Sequence, residues 1–360
     1  VYERKSHPDH RPKRRRGDDI GIVGIWLDSP NCQQCSEAEV TLHLTEADVR
    51  ALLTMPLALE AVEDISAKQA SGEAVLHARR RIELPGGGFF HYMAAADMAA
   101  GFLGMKLYTF VRGRLRFLVP LYRIATGDLE ALIEADYMGQ MRTGAASGVA
   151  TKYMARKGAR IAGVIGTGLQ ARTQLEAVAA VRKLDEAHAY SRNSDRLAQF
   201  CKDMSEKLQI PVRPAASADL TVQQADIVIT ATTAGHPVCH GAALAEGAHI
   251  NAIGANFPHK RELDDEAIRR VGTIVVDSIE QSKAEAGDLV VPFGASGARW
   301  DSVKELADIV AGKVQGRRSE NEITLFKSNG IAVWDVAAAL RVYRLALEKG
   351  MGRQIRLWED

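Results

Sequence analysis

"RIAGVIGTGLQA", residues 160–171, is an apolar run that ends in two glycines and opens directly into a helix-forming segment. A short continuous apolar run of this kind fits a strand buried on both faces of a parallel sheet. Gly166, Gly168 and Ala171 then make a G-x-G-x-x-A pattern. Each small residue has a physical task. Gly166 allows a tight turn, Gly168 lets the main chain approach a pyrophosphate, and Ala171 lets the helix pack close to its strand. Leu169 and Gln170 supply N–H groups of the first helical turn, which lack partners inside the helix and attract an anion.

Toward the C-terminus the same rhythm continues. "EAHAYSR", "ADIVITATT", "AHINAIGA" and "GTIVVDS" are further apolar strands, with helical segments such as "LQARTQLEAVAAVRKL" and "SDRLAQFCKDMSEKL" between the earlier ones. This alternation predicts an α/β fold, a Rossmann-type doubly wound parallel sheet, over residues 153–320. About 20 residues past the glycine turn, an acid would hold a ribose 2′-hydroxyl and an arginine would accommodate a 2′-phosphate. "AYSRNSDR" places Ser191, Arg192 and Asn193 there, with no carboxylate before Asp195, so NADP(H) is favoured over NAD(H).

Toward the N-terminus the pattern differs. "LTEADVRALLTMPLALEAVEDISAKQASG" offers two helices, the first capped by Thr45. Strand-like runs follow at short intervals: "ARRRIELP", "GFFHYMAAA", "GFLGMKLYTF", "RFLVPLYRIATG" and "LEALIEADY". A helix of small residues, "MRTGAASGVATKYMARKG", joins them to the glycine turn. The tail "ITLFKSNGIAVWDVAAALRVYRLALEKG" reads as a strand-turn and a long amphipathic helix that packs back on this first part. Residues 41–152 and 321–360 are therefore expected to form a discontinuous α+β domain.

Residues 1–40 stand apart. They include the basic tract Arg11–Arg16 and are expected to be a disordered extension. Cys32 and Cys35 have CxxC spacing without a second ligand pair, so no metal site is expected. The formal charge is +1, and residues 1–17 hold seven Lys/Arg against two acids, leaving a body near −4 that argues against nucleic-acid binding. No apolar run reaches the roughly 18 residues of a membrane span. Four cysteines do not make a disulfide framework, which points to a cytoplasmic protein.

From Leu42 onward the chain resembles the ornithine cyclodeaminase/mu-crystallin family. "GMKLYTF", "MRTGAASG", "GTGLQA", "NAIGANFPHKREL" and "FKSNGIAVWDVAAALRVY" carry the resemblance, in the family's order. It implies a homodimer built through the discontinuous domain, a nicotinamide cofactor on the second domain, and a small amino or imino acid between the two. Lys106 and Arg142 match the family's catalytic-lysine and carboxylate-binding positions. An arginine of "ARRRIEL" is the third member, Arg79 being favoured and Arg81 possible. Thr143 resembles a phosphate contact on a neighbouring helix start, and Thr232, Lys260 and Ser328 resemble residues lining the cofactor.

Asn256 departs from the pattern. True ornithine cyclodeaminases carry an aspartate there, and cyclodeamination moves protons at each step between its two hydride transfers. An amide does not ionise near neutral pH. Asn256 can orient a water or bond an imine nitrogen, which fits a single hydride transfer. Glu262, Asp264 and Asp265 read as the N-terminal turn of a helix, where the dipole favours acids, and Asp288 and Asp335 are the other candidates for a base. The expected activity is NADP(H)-dependent reduction of a small imino acid, or the reverse amino-acid dehydrogenation. The alternatives are ornithine cyclodeaminase with bound NAD and a silent, NADPH-dependent binder of a small ligand.

Overall fold

The computed structural model describes residues 40–294 and 296–357, so the Arg11–Arg16 tract and the Cys32/Cys35 pair lie outside the described residues. The described residues form one compact unit built on two sheets. The first elements are strand β1 (Thr41–Leu44) and helices α1 (Glu46–Leu52) and α2 (Met55–Ser71). Thr45 caps α1 as its sequence predicts: its hydroxyl takes the Asp48 N–H while the Asp48 carboxylate takes the Thr45 N–H at 2.9 Å. Such a box contributes about 1 kcal/mol.

Strands β2 (Ala74–Leu76), β3 (Arg80–Leu84), β4 (Gly88–Asp97), β5 (Phe102–Val111), β6 (Arg114–Arg123) and β7 (Leu129–Glu134) follow. β4 to β7 are antiparallel neighbours, β2 and β3 both pair with β4, and β1 pairs parallel to β7. Burial alternates along β4 and β5, as a sheet with one covered face requires. Helix α3 (Asp136–Met154) then leads to the second sheet. It is made of small residues because it runs between helices, and a Cβ on Gly144 would sit 2.4 Å from the carbonyl oxygen of Thr173.

The second sheet starts with β8 (Ile161–Ile165), α4 (Leu169–Val181), β9 (Glu186–Tyr190), α5 (Ser194–Leu208), β10 (Val212–Pro214), α6 (Ala218–Gln223) and β11 (Ile227–Thr230). It continues through β12 (His249–Ala252), α7 (Asp265–Arg270), β13 (Val271–Val276), α8 (Ile279–Glu285), α9 (Gly287–Phe293), β14 (Lys304–Glu305), α10 (Leu306–Val310) and β15 (Ile323–Lys327). The strands are all parallel, in the order β10-β9-β8-β11-β12-β15-β13-β14. The winding reverses between β8 and β11. That switch point is where doubly wound sheets bind ligands, at the carboxyl ends of the strands.

One boundary differs from the sequence expectation. Ile323–Lys327 does not return to the first sheet with the tail; it is an interior strand of the second, paired with β12 and β13 and buried along its whole length. The return begins only with α11 (Ala332–Lys349), followed by β16 (Arg353–Ile355), which pairs antiparallel with β1. Most of α11 is buried over the first sheet and α2, and the indole N–H of Trp334 donates to Ser66 Oγ at 3.2 Å. No helix among the described residues is long and apolar enough to cross a membrane.

Candidate active site

The inward face of β5 carries Lys106, whose side chain is 3% exposed. Its ammonium donates to Asp335 Oδ1 at 2.8 Å, and Arg142 Nε donates to the same oxygen at 3.0 Å. Three segments far apart in sequence supply this cluster: β5, α3 and the first turn of α11. Burial lowers the Lys106 pKa to about 8, Arg142 adds to the drop, and Asp335 opposes it. Burial of this kind penalises the charged form of a base, so the ammonium is held but loosely.

The cluster is incompletely paired. Arg142 Nη1, Asp335 Oδ2 and Arg79 Nε are buried without hydrogen-bond partners in the protein. Unpaired buried polar atoms are costly, of the order of 1–3 kcal/mol each, and three of them among these side chains make the cluster a candidate ligand site. The set holds donors and an acceptor together, which suits a small molecule with both a carboxylate and a protonated nitrogen.

Arg79, rather than Arg81, reaches this region. It precedes β3 and donates to Glu285 Oε2 at 2.8 Å, to the Asn329 carbonyl at 2.7 Å and to the Gly330 carbonyl at 3.0 Å. Burial alone would lower this guanidinium, but Tyr108, Glu285, Asp277 and Asp335 around it raise it overall. Arg81 instead donates to His91 and lies over the ring of Phe257 at 4.4 Å. Residues 328–330 lie just past the C-terminal end of β15, and the Asp277 carboxylate holds this turn through the N–H groups of Asn329 and Gly330, both at 2.6 Å. Gly330 has φ +81°, and a Cβ there would meet Arg142 Nη1 at 2.7 Å. Arg79 thus ties the first sheet to the strand ends of the second.

The glycine turn lies at the switch point. Gly166 has φ +109°, and a Cβ there would approach the Ala231 carbonyl oxygen to 2.4 Å. Gly168 is the N-cap of α4, no side chain caps that helix, and the space beside its Cα is open. Leu169 is exposed, Ala171 is fully buried against the sheet, and Gln170 Oε1 is buried without a partner. An open glycine at an uncapped helix start fits the pyrophosphate of a dinucleotide. Ser191, Arg192 and Asn193 follow β9, whose Tyr190 carbonyl accepts the Gly166 N–H at 2.9 Å. Arg192 is exposed, while Asn193 Oδ1 is occupied in capping α5 through the Arg196 N–H.

Three residues expected at the cofactor are differently employed. Thr143 is not on a helix start: it lies inside α3, where its hydroxyl donates back to the Gly139 carbonyl at 2.7 Å. The cap is remote, since the Glu46 carboxylate accepts the N–H groups of Asp136 and Tyr137. Thr232 gives both its N–H and its hydroxyl to Glu262, each at 2.7 Å. Ser328 is 1% exposed and donates to Asp277 at 3.1 Å. The Thr232 and Ser328 hydroxyls thus give their protons to buried carboxylates, and that of Thr143 goes to its own helix. Lys260 is half-buried with its ammonium 4.8 Å from the centre of the Phe257 ring.

Asn256 is half-buried in the loop after β12. Buried groups clamp this loop from below. Lys327 donates to the carbonyls of Ala252 and Ala255 and pairs with Asp288 at 3.3 Å, and Glu262 takes the Gly254 N–H at 2.7 Å. Phe257, beside Asn256, meets Arg81 of the first sheet, so the loop touches that sheet next to β3. Asp335 appeared in the sequence only as one possible base; that it is the shared counter-ion of Lys106 and Arg142 was not legible there. Glu285, Tyr108 and His91 were not assigned to a site at all.

A parallel doubly wound sheet with an open glycine turn, in one compact unit with a sheet that carries a buried cluster of cations, defines a dinucleotide-binding fold. The chain belongs to the ornithine cyclodeaminase/mu-crystallin family, whose model matches residues 39–350. It is 39% identical over 265 residues to a Delta(1)-pyrroline-2-carboxylate reductase of Bacillus cereus, covering 70% of this chain and 80% of that protein. Among solved structures it is similar to Thermococcus litoralis Delta(1)-pyrroline-2-carboxylate reductase in complex with NADH and L-proline, with 39% identity and a TM-score of 0.83 over 88% of this chain and all (100%) of that one. An archaeal alanine dehydrogenase dimer with bound NAD is also similar, with 34% identity and a TM-score of 0.83 over 89% of this chain and 100% of that one.

Proposed function

We propose that this protein reduces small imino acids with a nicotinamide cofactor, NADP(H) in preference to NAD(H), and runs in reverse as an amino-acid dehydrogenase. The observation that carries the reading is the buried Lys106–Asp335–Arg142 cluster with its unpaired Arg142 Nη1 and Asp335 Oδ2. A cyclic or acyclic α-imino acid presents a carboxylate to the first and, once Lys106 has protonated its nitrogen, an iminium N–H to the second. The bound nicotinamide supplies the hydride. Arg142 through Nη1 and Arg79 through Nε hold the carboxylate, each giving it a charge-assisted hydrogen bond from a donor the protein leaves unpaired. Lys106 Nζ holds a proton at neutral pH and gives it up readily, as a general acid for an imine nitrogen must. Asn256 orients the imine nitrogen or a water without ionising. Gly166, Gly168, Leu169, Gln170 and Ala171 seat the pyrophosphate, and Ser191 with Arg192 meets a 2′-phosphate.

In this reading residues 41–152 with the C-terminal helix bind substrate and dimerise, and the parallel sheet binds the dinucleotide. Exposed apolar side chains on the first sheet, among them Val75, Ile82, Leu103, Val111 and Leu115, support a homodimer through that face. The test is a panel: NADPH and NADH consumption with Delta(1)-pyrroline-2-carboxylate, Delta(1)-piperideine-2-carboxylate, iminosuccinate, and pyruvate with ammonia. Turnover of at least one, faster with NADPH, is expected. Ammonia and proline formed from ornithine with catalytic NAD, with no imine reduced, would overturn the proposal.

A further inference from the structure

A second row of buried polar groups stands beside Lys106 and is unused in the scheme above. Lys106 and Tyr108 are two residues apart on β5 and so share its inward face. Directly across on β4, in register with Tyr108, is His91, which is 2% exposed. The Tyr108 and Phe117 rings have centroids 4.7 Å apart, and Lys106 Nζ lies 4.8 Å from the same Phe117 ring. Phenol and ammonium therefore flank one aromatic floor.

The hydrogen-bond directions in this row are fixed by chemistry. Arg81 Nε donates to His91 Nε2. A guanidinium has donors only, so Nε2 is the accepting nitrogen. Burial, with Arg79 and Arg81 nearby, takes the His91 pKa down to about 3, so the ring is neutral and carries its one proton on Nδ1. His91 Nδ1 faces the Tyr108 hydroxyl, and this N–H donates to the phenol oxygen. The hydroxyl's own proton is thereby left for another acceptor. His91 is the phenol's only hydrogen-bond partner among the described residues. Burial keeps Tyr108 protonated, and the charges that act on it are Arg79, Glu285, Arg142 and Arg81. Glu285 Oε2 already accepts Arg79 and Gln281. Two of the others are the guanidiniums assigned to the substrate carboxylate.

We infer that Tyr108 donates its hydroxyl proton to the carboxylate of the bound imino acid, a third binding group beside Arg79 and Arg142, with Arg81 and His91 as positioning residues that aim this donor. The inference rests on the imino-acid reading. Its consequence is selectivity: a carboxylate gains a short charge-assisted bond from the phenol that a carboxamide gains only weakly.

The test uses the full chain saturated with NADPH, titrated calorimetrically with pyrrole-2-carboxylate and with pyrrole-2-carboxamide. Tyr108→Phe should weaken the acid by about ten- to a hundred-fold and the amide by less than about three-fold. In imine reduction its loss should fall on KM more than on kcat. His91→Leu should reproduce most of that loss. His91→Asn, whose amide N–H can replace the Nδ1–H, should retain acid binding. The Tyr108→Phe/His91→Leu double variant should be no worse than Tyr108→Phe alone, because the two act on one bond. If His91→Leu does not fold, Tyr108→Phe and His91→Asn carry the comparison. Equal losses for acid and amide, or additive losses in the double variant, would overturn the inference. A wild-type chain that binds the acid and reduces an imine, with Tyr108→Phe unaffected, sinks this inference alone. A wild-type chain that does neither sinks the functional reading with it.

Discussion

Asp335→Asn isolates the electrostatics of the site. The substitution keeps an oxygen that can accept Lys106 at 2.8 Å and Arg142 at 3.0 Å but removes the charge. Lys106 titrates at about 8 because burial and Arg142 push it down while Asp335 holds it up. An opposite charge at this range is worth about one to three pKa units, so its loss should move Lys106 to about 6. At about pH 7.5 the protonated fraction then drops from roughly three-quarters to roughly 3%, a loss of about 25-fold in imine reduction from protonation alone. The sign is definite. Lys106 is a base whose protonated form is needed for reduction, so lowering its pKa moves the alkaline limb of the rate profile toward acid. Rate should return near about pH 5.5, where the ammonium is restored. The assay is the initial rate of NADPH-dependent reduction across about pH 5 to 9.5 at saturating substrate, with thermal denaturation as the folding control. An alkaline limb that stays near pH 8 under a uniformly lower plateau would refute the argument that Asp335 holds this proton.

Other substitutions probe separate parts of the reading. Lys106→Met should cut turnover by about a hundred-fold or more while NADPH binding, followed by its fluorescence, changes by less than about three-fold; retained turnover would exclude Lys106 from the reaction. Arg192→Asp should raise the KM for NADPH by about ten- to a hundred-fold and leave that for NADH nearly unchanged, and an unaltered preference would remove Arg192 from the 2′-phosphate. Gly330→Ala places a methyl 2.7 Å from Arg142 Nη1 at a residue with φ +81°, so the KM for the imino acid should rise by about ten-fold or more, and an unchanged KM would show that Arg142 does not hold the carboxylate.

What could be seen in the sequence depended on how local its cause was. The Thr45 cap, the strand-like runs of β4 and β5, and the glycine turn before α4 are all written within a few residues of where they act, and each is found as expected. β1 and β16 are only four and three residues long and exist because they pair with each other and β1 also with β7, so no pattern announces them. The start of α3 was misplaced because its cap comes from Glu46, about 90 residues away in sequence. Ile323–Lys327 is apolar throughout, and length and composition do not say which of two sheets such a strand joins. The site shows the same division. Lys106 and Arg142 stood in recognisable motifs, yet their counter-ion lies 229 and 193 residues from them. A lone Asp in an apolar helix start gives no hint of such a partner.

The amide at Asn256 also has a structural context that bears on the reaction. If a cyclising sequence were to run here, some nearby carboxylate would have to replace the missing base. Burial and the neighbouring Asp288 raise the Glu262 carboxyl, but its oxygens accept from Thr230, Thr232 and Gly254. Asp288 accepts the N–H groups of Glu262 and Leu263 and faces Lys327, and Asp277 is bound to residues 328–330. Asp264 caps α7, and Asp265 lies in its first turn, paired with Arg261. These groups hold the loops in place, and protonating one would release the backbone it clamps. Asp288 Oδ2 also lacks a hydrogen bond but faces the Lys327 ammonium at 3.3 Å, which leaves Lys106 with Asp335 as the ionisable pair whose unpaired oxygen stands beside Arg142. A single pair can deliver one proton to one nitrogen, which is what one hydride transfer to an imine requires. Ring closure with loss of ammonia needs protons to move at successive steps, and the carboxylates that could share that work are already committed to the fold.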